Sequence, residues 1–373
     1  MAHNGGGLKP VAVVTLTLAL LACSTQTAPP PQSPAAEGET LAADLRTQLD
    51  LLLSEHVMIV AKETSAAVNH SDDYPAYTTL LTTNVSDLAT LFGRAFGNTA
   101  AADLSQLWNT QNALLVDYAI GVVTHNDDKA NAAMTSLTGQ FVPQFAQLVN
   151  RHTFVARDQV VQLQTKQLLK DKAFIDDVFA KKYGAYYSDL HAAYANSSLL
   201  GDTLAVHIVQ RFPDKFPGDP SLLGVDIRVS FNLVLQEHAH LATMATASVI
   251  AGRTVEKSAA EAALASNAGL LSAAFVRLYD TGASAQLDRV WSARNKLILD
   301  YASGADPTST SLTQDVVTMF AYLTHVDRLL VLRQMQATIK VIDDQKAKSF
   351  KPIAGDDRAA ATAMQAIADS IQG

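Results

Sequence analysis

One cysteine, Cys23, in 373 residues excludes an intramolecular disulfide and any thiolate-built zinc cage. Charge is also scarce. Lys, Arg, Asp and Glu make up 17% of the chain, below the roughly 25% usual in soluble domains, and apolar residues reach 48%. Most of the chain therefore has the material for a core, and disorder is excluded for it. Basic residues are outnumbered, giving a net charge of −8. That argues against a nucleic-acid partner, whose phosphates require clustered Lys and Arg. The chain carries no GxGxxG or Walker A loop, no HExxH, no GxSxG elbow and no CxxC. No catalytic apparatus is legible, and the expected protein is not an enzyme.

The N-terminus has one charged side chain, Lys9, before an apolar run from Val11 to Leu21. Such a run fits the core of a signal peptide and is too short for a stable spanning helix. It ends in Leu20-Leu21-Ala22-Cys23, and a Pro/Thr/Ser/Ala stretch from Ser24 to Gly38 follows. This resembles the lipobox of bacterial lipoproteins. The resemblance implies removal of residues 1–22, acylation of Cys23 by chains of the palmitate class, and residence on the extracytoplasmic side of a bacterial cell envelope. Each buried methylene of an acyl chain contributes about 0.8 kcal/mol, so a multiply acylated cysteine holds a protein at a membrane without a spanning helix. Residues 23–40 read as a disordered tether.

The remainder is one helical unit written twice. An offset of 183 lays Phe92, Arg94, Leu104, Trp108, Asn112, Asp117, Tyr118 and Gly121 on Phe275, Arg277, Leu287, Trp291, Asn295, Asp300, Tyr301 and Gly304. An offset of 182 lays Glu55-His56 on Glu237-His238, and one of 173 pairs His152 with His325. Apolar residues recur at spacings of three and four, as in Leu45, Leu49, Leu52, His56 and Ile59, and in Ile227, Phe231, Val234, His238 and Leu241. Gly97-Asn98-Thr99 and Thr281 to Ser284 mark starts of the Trp-bearing helices, and Gly121 and Gly304 mark their stops. A further helix carries Phe154, Val161 and Leu168. Helical pattern runs from Asp171 to Val209 with a break expected near Gly184 or Gly201, and Arg211 to Pro220 reads as the linker. The expected fold is all-α: two tandem antiparallel helical bundles, 41–218 and 219–373.

His56 and His238 interrupt apolar stripes, and a buried imidazole needs a partner. One arrangement is a metal site (copper, iron or zinc) from Glu55, His56 and His152 in one bundle and Glu237, His238 and His325 in the other. Adjacent Glu and His point about 100° apart on a helix, which opposes their sharing an ion. The other arrangement is hydrogen-bonded core histidines with no cofactor. Asn112 with Asp117, and Asn295 with Asp300, are candidates for a polar pocket. An alternative has Asp117 and Asp300 bridged to Arg94 and Arg277.

The order of Glu-His, Trp, Asp-Tyr and a third-helix His, with Ala193-Tyr194-Ala195-Asn196 and Val209 to Phe216, resembles a group of secreted or envelope-anchored tandem helical proteins. Some members are loosely labelled with copper amine oxidase. The resemblance covers most of 41–373 and implies His at the positions of Gln111, Arg294 and Asn196, so this chain departs from it at those ligands. The cofactor-forming Asn-Tyr-Asp/Glu motif of copper amine oxidases is absent. The reading is a membrane-anchored, non-enzymatic binding module for an envelope protein or small ligand, with metal handling as its alternative.

Overall fold

In a computed structural model the described residues are 1, 38–305, 309–310 and 312–371. Among them there are helices and no strand, as the apolar periodicity predicts. Cys23, the lipobox and all but the last three tether residues lie outside this set. Those three belong to the body. The Thr40 side chain caps the first helix by accepting from Ala43 N, and Gly38 O accepts from Arg228.

The first repeat comprises α1 (Leu41–Val68), α2 (Tyr74–Phe96), α3 (Asn98–Val123), α4 (Asp127–Ser136), a π-helical turn and α5 (Val142–Thr153), then α6 (Arg157–Phe179) and α7 (Tyr183–Arg211). The second repeats the order as α8 (Leu223–Ile250), α9 (Thr254–Val276), α10 (Thr281–Ser303), a π-helical turn and α11 (Val317–Thr324), α12 (Arg328–Ala347) and α13 (Phe350–Ile371). The linker falls where the Pro/Gly run breaks the helical pattern. The described residues from Gly38 onward nevertheless fall in one compact unit, so the repeats are joined along their length.

The joint is the pair α1 and α8, which run side by side in the same direction. Arg46 donates to Asp226 near their starts, and Lys62 donates to Thr243 near their ends. Both helices are buried around most of their circumference. This suits α8, with three charged residues in 28, since a helix apolar all round belongs inside a protein; α1 is buried although it carries six. Reciprocal contacts mark a pseudo-twofold relation. Arg46 binds Asp202 and Asp226 at 2.6 Å each, while Arg228 binds Asp369 at 2.8 Å and Asp44 at 2.6 Å. An offset of 182 converts Arg46 to Arg228 and Asp44 to Asp226, and an offset of 167 converts Asp202 to Asp369. Each contact from one repeat to the other is thus returned, as at an isologous dimer interface.

The last helix of each repeat also crosses to its twin. Glu55 of α1 accepts from Asn84 and from both Arg358 nitrogens, and Glu237 of α8 accepts from Asn267 and from His191. His191 and Arg358 are equivalent at offset 167. Two glycine assignments change. Gly304 does end α10 in the left-handed conformation, but Gly121 lies inside α3, where a Cβ would come within 2.6 Å of the Ala130 backbone. Gly201 lies inside an unbroken α7, where a Cβ would meet Asp50 of α1, so that glycine sets the closeness of the α1–α7 crossing. The break falls at residues 180–182, beside Gly184, the first of the two expected positions. Phe154 likewise precedes α6 as a left-handed, exposed residue stacked on Arg211.

Candidate functional site

Four of the six predicted metal ligands, Glu55, His56, Glu237 and His238, are held by hydrogen bonds within the protein. Glu55 and Glu237 hold the cross-repeat pairs just described. His56 Nε2 lies 2.7 Å from Asn112 Oδ1, which fixes it as the donor, and the ring meets Trp108 edge-on. His238 accepts from Trp291 Nε1 at 3.1 Å through Nδ1, and Arg294 faces its Nε2. A neutral imidazole has one acceptor nitrogen, so these two donors compete for it. His152 packs on Phe92 and Phe96 at the end of α5, and His325 is the exposed left-handed cap of α11. Neither is brought to the Glu-His of its own repeat. No group of three metal-type side chains assembles among the described residues.

The 173-residue pairing of His152 with His325 is also corrected. Thr153 and Thr324 make the same bond to the carbonyl four residues back, and Val155 and Val326 are both buried, which sets the offset there at 171. His325 therefore corresponds to Phe154. The proposed Arg–Asp bridges do not form. Arg94 donates to Gln48 and Arg277 to Ser230, whereas Asp117 pairs with Lys129 at 2.8 Å and Asp300 with Lys296 at 2.5 Å. Asn295 and Asp300 do share one open pocket of about 380 Å³, but Asn112 faces His56 and Asp117 lies at the surface, so the polar pocket is not duplicated. Gln111 and Asn196, the positions of the expected extra histidines, line a void of about 20 Å³ with His56, Gln164 and Gln167. That is room for about one water molecule.

The site that sequence reasoning missed lies between the repeats. Lys62 of α1, only 5% exposed, donates to Thr243 Oγ1 at 2.7 Å and to Asp357 Oδ2 at 2.5 Å. Thr243 donates to the other Asp357 oxygen at 2.6 Å, and His240 Nδ1 lies 3.4 Å from Oδ2. Burial pushes the Lys62 ammonium below its usual range against the opposing pull of Asp357. For Asp357, burial alone would raise the carboxyl, but Lys62 and His240 hold it well below the carboxylate range.

Lys62 and Thr243 of this set line the floor of a solvent-open cavity of about 330 Å³, and Asp357 and His240 lie buried behind them. Its walls are the ends of α1 and α8, with Asp73 and Tyr77 of the next turn, Arg253 and Glu256, and Phe350 and Ile353. The volume falls at the small end of ligand pockets.

The pseudo-twofold supplies a comparison within the molecule. The counterparts of Lys62, His240, Thr243 and Asp357 are Met244, Met58, Ala61 and Leu190. All four are apolar and buried. The counterparts of Phe350, Ile353 and Ala354 are Tyr183, Tyr186 and Tyr187, and all three rings are buried. Beside α7 the side chains are thus apolar and tyrosine, whereas beside α13 Lys62 and Asp357 form a buried ion pair; Met244, the counterpart of Lys62, lines the cavity with it. Replacing a buried ion pair by fitted apolar residues is often neutral or stabilising, so the open, charged version is not what the fold alone demands. Lys62 and Asp357 gave no sequence signal, because 295 residues separate them.

No protein-family profile, curated protein or solved structure matches the chain.

Proposed function

We propose that this protein is a non-enzymatic binding module, held at a membrane of a bacterial envelope through an acylated Cys23, whose ligand site is the cavity over Lys62 and Asp357. The observation that carries the ligand half is the broken pseudo-symmetry: Lys62, Thr243 and Asp357 keep a buried ion pair against an open cavity, where their counterparts Met244, Ala61 and Leu190 are apolar. A purely architectural joint gains nothing from the open copy, because burying ions costs several kcal/mol per ion before pairing returns it. The anchor half rests on the lipobox resemblance.

Both halves have direct tests. Ala247, on the cavity wall, is only partly buried and can be replaced by Trp to fill the space. Native mass spectrometry of the full chain is expected to show a small molecule retained by the wild type and lost in Ala247→Trp. Identical spectra from both proteins, with no retained mass, count against the ligand reading. Cys23→Ser is expected to move the protein from the membrane fraction to the soluble one, and continued membrane retention counts against the anchor.

A further inference from the structure

Resting on the ligand-cavity reading, we propose that the cavity receives a small organic cation, a primary ammonium on an apolar body, with the Asp73 carboxylate as its counter-ion. The argument is one of charge placement. On the floor, Lys62 is matched by Asp357 at 2.5 Å, with His240 behind that carboxylate. On the wall, Arg253 is matched by Glu256 at 2.7 Å. Asp73 is left over. Its Oδ1 is buried without a hydrogen-bond partner, and although the residue stands at the N-cap of α2, its side chain makes no capping bond. A buried acceptor without a donor is costly, and a ligand N–H⁺ is the group that relieves it.

Lys62 and Tyr77 are the titratable neighbours that feel the Asp73 charge, but Lys62 is already committed to Asp357 and Thr243. The remaining cation, Lys348, is exposed at the rim, where water screens it. Opposite the polar groups, Met244, Ala247, Ile250, Phe350 and Ile353 offer an apolar wall for the body of such a ligand. Each methylene buried there adds to the affinity. The site therefore favours a cation over a neutral or anionic molecule of the same length.

Hexylammonium, hexanol and hexanoate share one apolar body and differ in head charge. Each is titrated into the full chain carrying methyl-¹³C methionine, and the Met244 signal, assigned with Met244→Leu, reports occupancy of the wall. Hexylammonium is expected to give a saturable shift at a concentration at least tenfold lower than hexanol, with hexanoate weakest. In Asp73→Asn the ammonium should fall to the level of hexanol, while hexanol itself is unchanged. Equal binding of the three by the wild type, or an ammonium preference that survives Asp73→Asn, overturns the cation assignment and leaves the cavity reading intact. A Met244 signal unmoved by all three overturns the cavity reading as well. Should Asp73→Asn fail to fold, Asp73→Ser takes its place, and the wild-type ranking alone still decides between cation and neutral guest.

Discussion

The two junctions between the repeats occupy equivalent places and are built from opposite materials. At one, Met58, Ala61 and Leu190 are buried, with Tyr186 donating to the Ala61 carbonyl and Tyr187 buried beside it in sequence. At the other, Thr243, Asp357 and Lys62 form a hydrogen-bonded ion-pair network, with His240 3.4 Å from the carboxylate, and Lys62 and Thr243 face open space. Because the backbone elements around them correspond, the difference isolates the side chains. The apolar copy shows a solution that holds the repeats together without buried charge. The polar copy therefore marks where duplicated halves have diverged, and divergence toward a costlier arrangement points to a task other than cohesion.

The largest test of this comparison converts the open junction to the closed one. Lys62→Met alone leaves Asp357 buried without its cation and is expected to cost about 3–5 kcal/mol in chemical denaturation. Adding Asp357→Leu installs the residues of the twin junction, and the double variant is expected to return to wild-type stability or exceed it. A double variant as unstable as the single would show that the network is required for cohesion, and the contrast between junctions would lose its functional meaning.

A second contrast concerns the two buried histidines. His56 donates to the neutral Asn112, and burial lowers its pKa to about 4. His238 is lowered further, first by burial and then by the neighbouring Arg294 guanidinium, which burial itself lowers to about 9. For both, the unfolded chain binds a proton that the native state refuses, so stability falls as pH drops below about 6.5. For His56 the loss should approach about 3 kcal/mol by pH 4, since one pKa unit is worth about 1.4 kcal/mol. Urea midpoints measured from pH 7 to pH 4 check this. His56→Gln, which keeps an N–H for Asn112, should flatten part of the slope, and a slope unchanged by that substitution would place the proton uptake elsewhere.

Much of the fold was legible, and much of the site was not, for one physical reason. The Glu-His, Trp and Asp-Tyr positions sit on long helices whose lengths match between repeats, so a nearly constant offset exposes them. After the Trp-bearing helices the connecting segments differ in length, and the offset falls to 171 at Thr153 and Thr324 and to 167 at His191 and Arg358. His152 and His325 were mispaired in that stretch. The contacts that join the repeats run between the shifted and the unshifted parts, as in Asp357 with Lys62. Periodicity identifies which helices are buried but carries no information on which residues of distant helices meet. The buried partners also hid the fate of the histidines: Asn112 and Arg294 follow their tryptophans by four and three residues, yet only coordinates place them against the imidazoles.

The smallest effect comes from the pair of cross-repeat ion bridges. Glu55 is held by Arg358, charged at every accessible pH, whereas its counterpart Glu237 is held by His191 at 2.7 Å. The hydrogen bond to Glu237 raises the His191 pKa. A raised histidine pKa means that the folded state binds its proton more tightly, so this bridge contributes fully below about pH 6.5 and is lost as pH rises through the folded value. The imidazole is about half exposed, with 46% of its side chain open to water. The contribution is then that of a screened pair, about 0.2–1 kcal/mol. His191→Arg copies the other bridge and should remove this pH dependence, giving a gain over the wild type at pH 8.5 that shrinks toward zero at pH 5.5. A gain of equal size at both pH values would mean that the arginine acts through packing, and the two bridges would then differ in shape and not in charge.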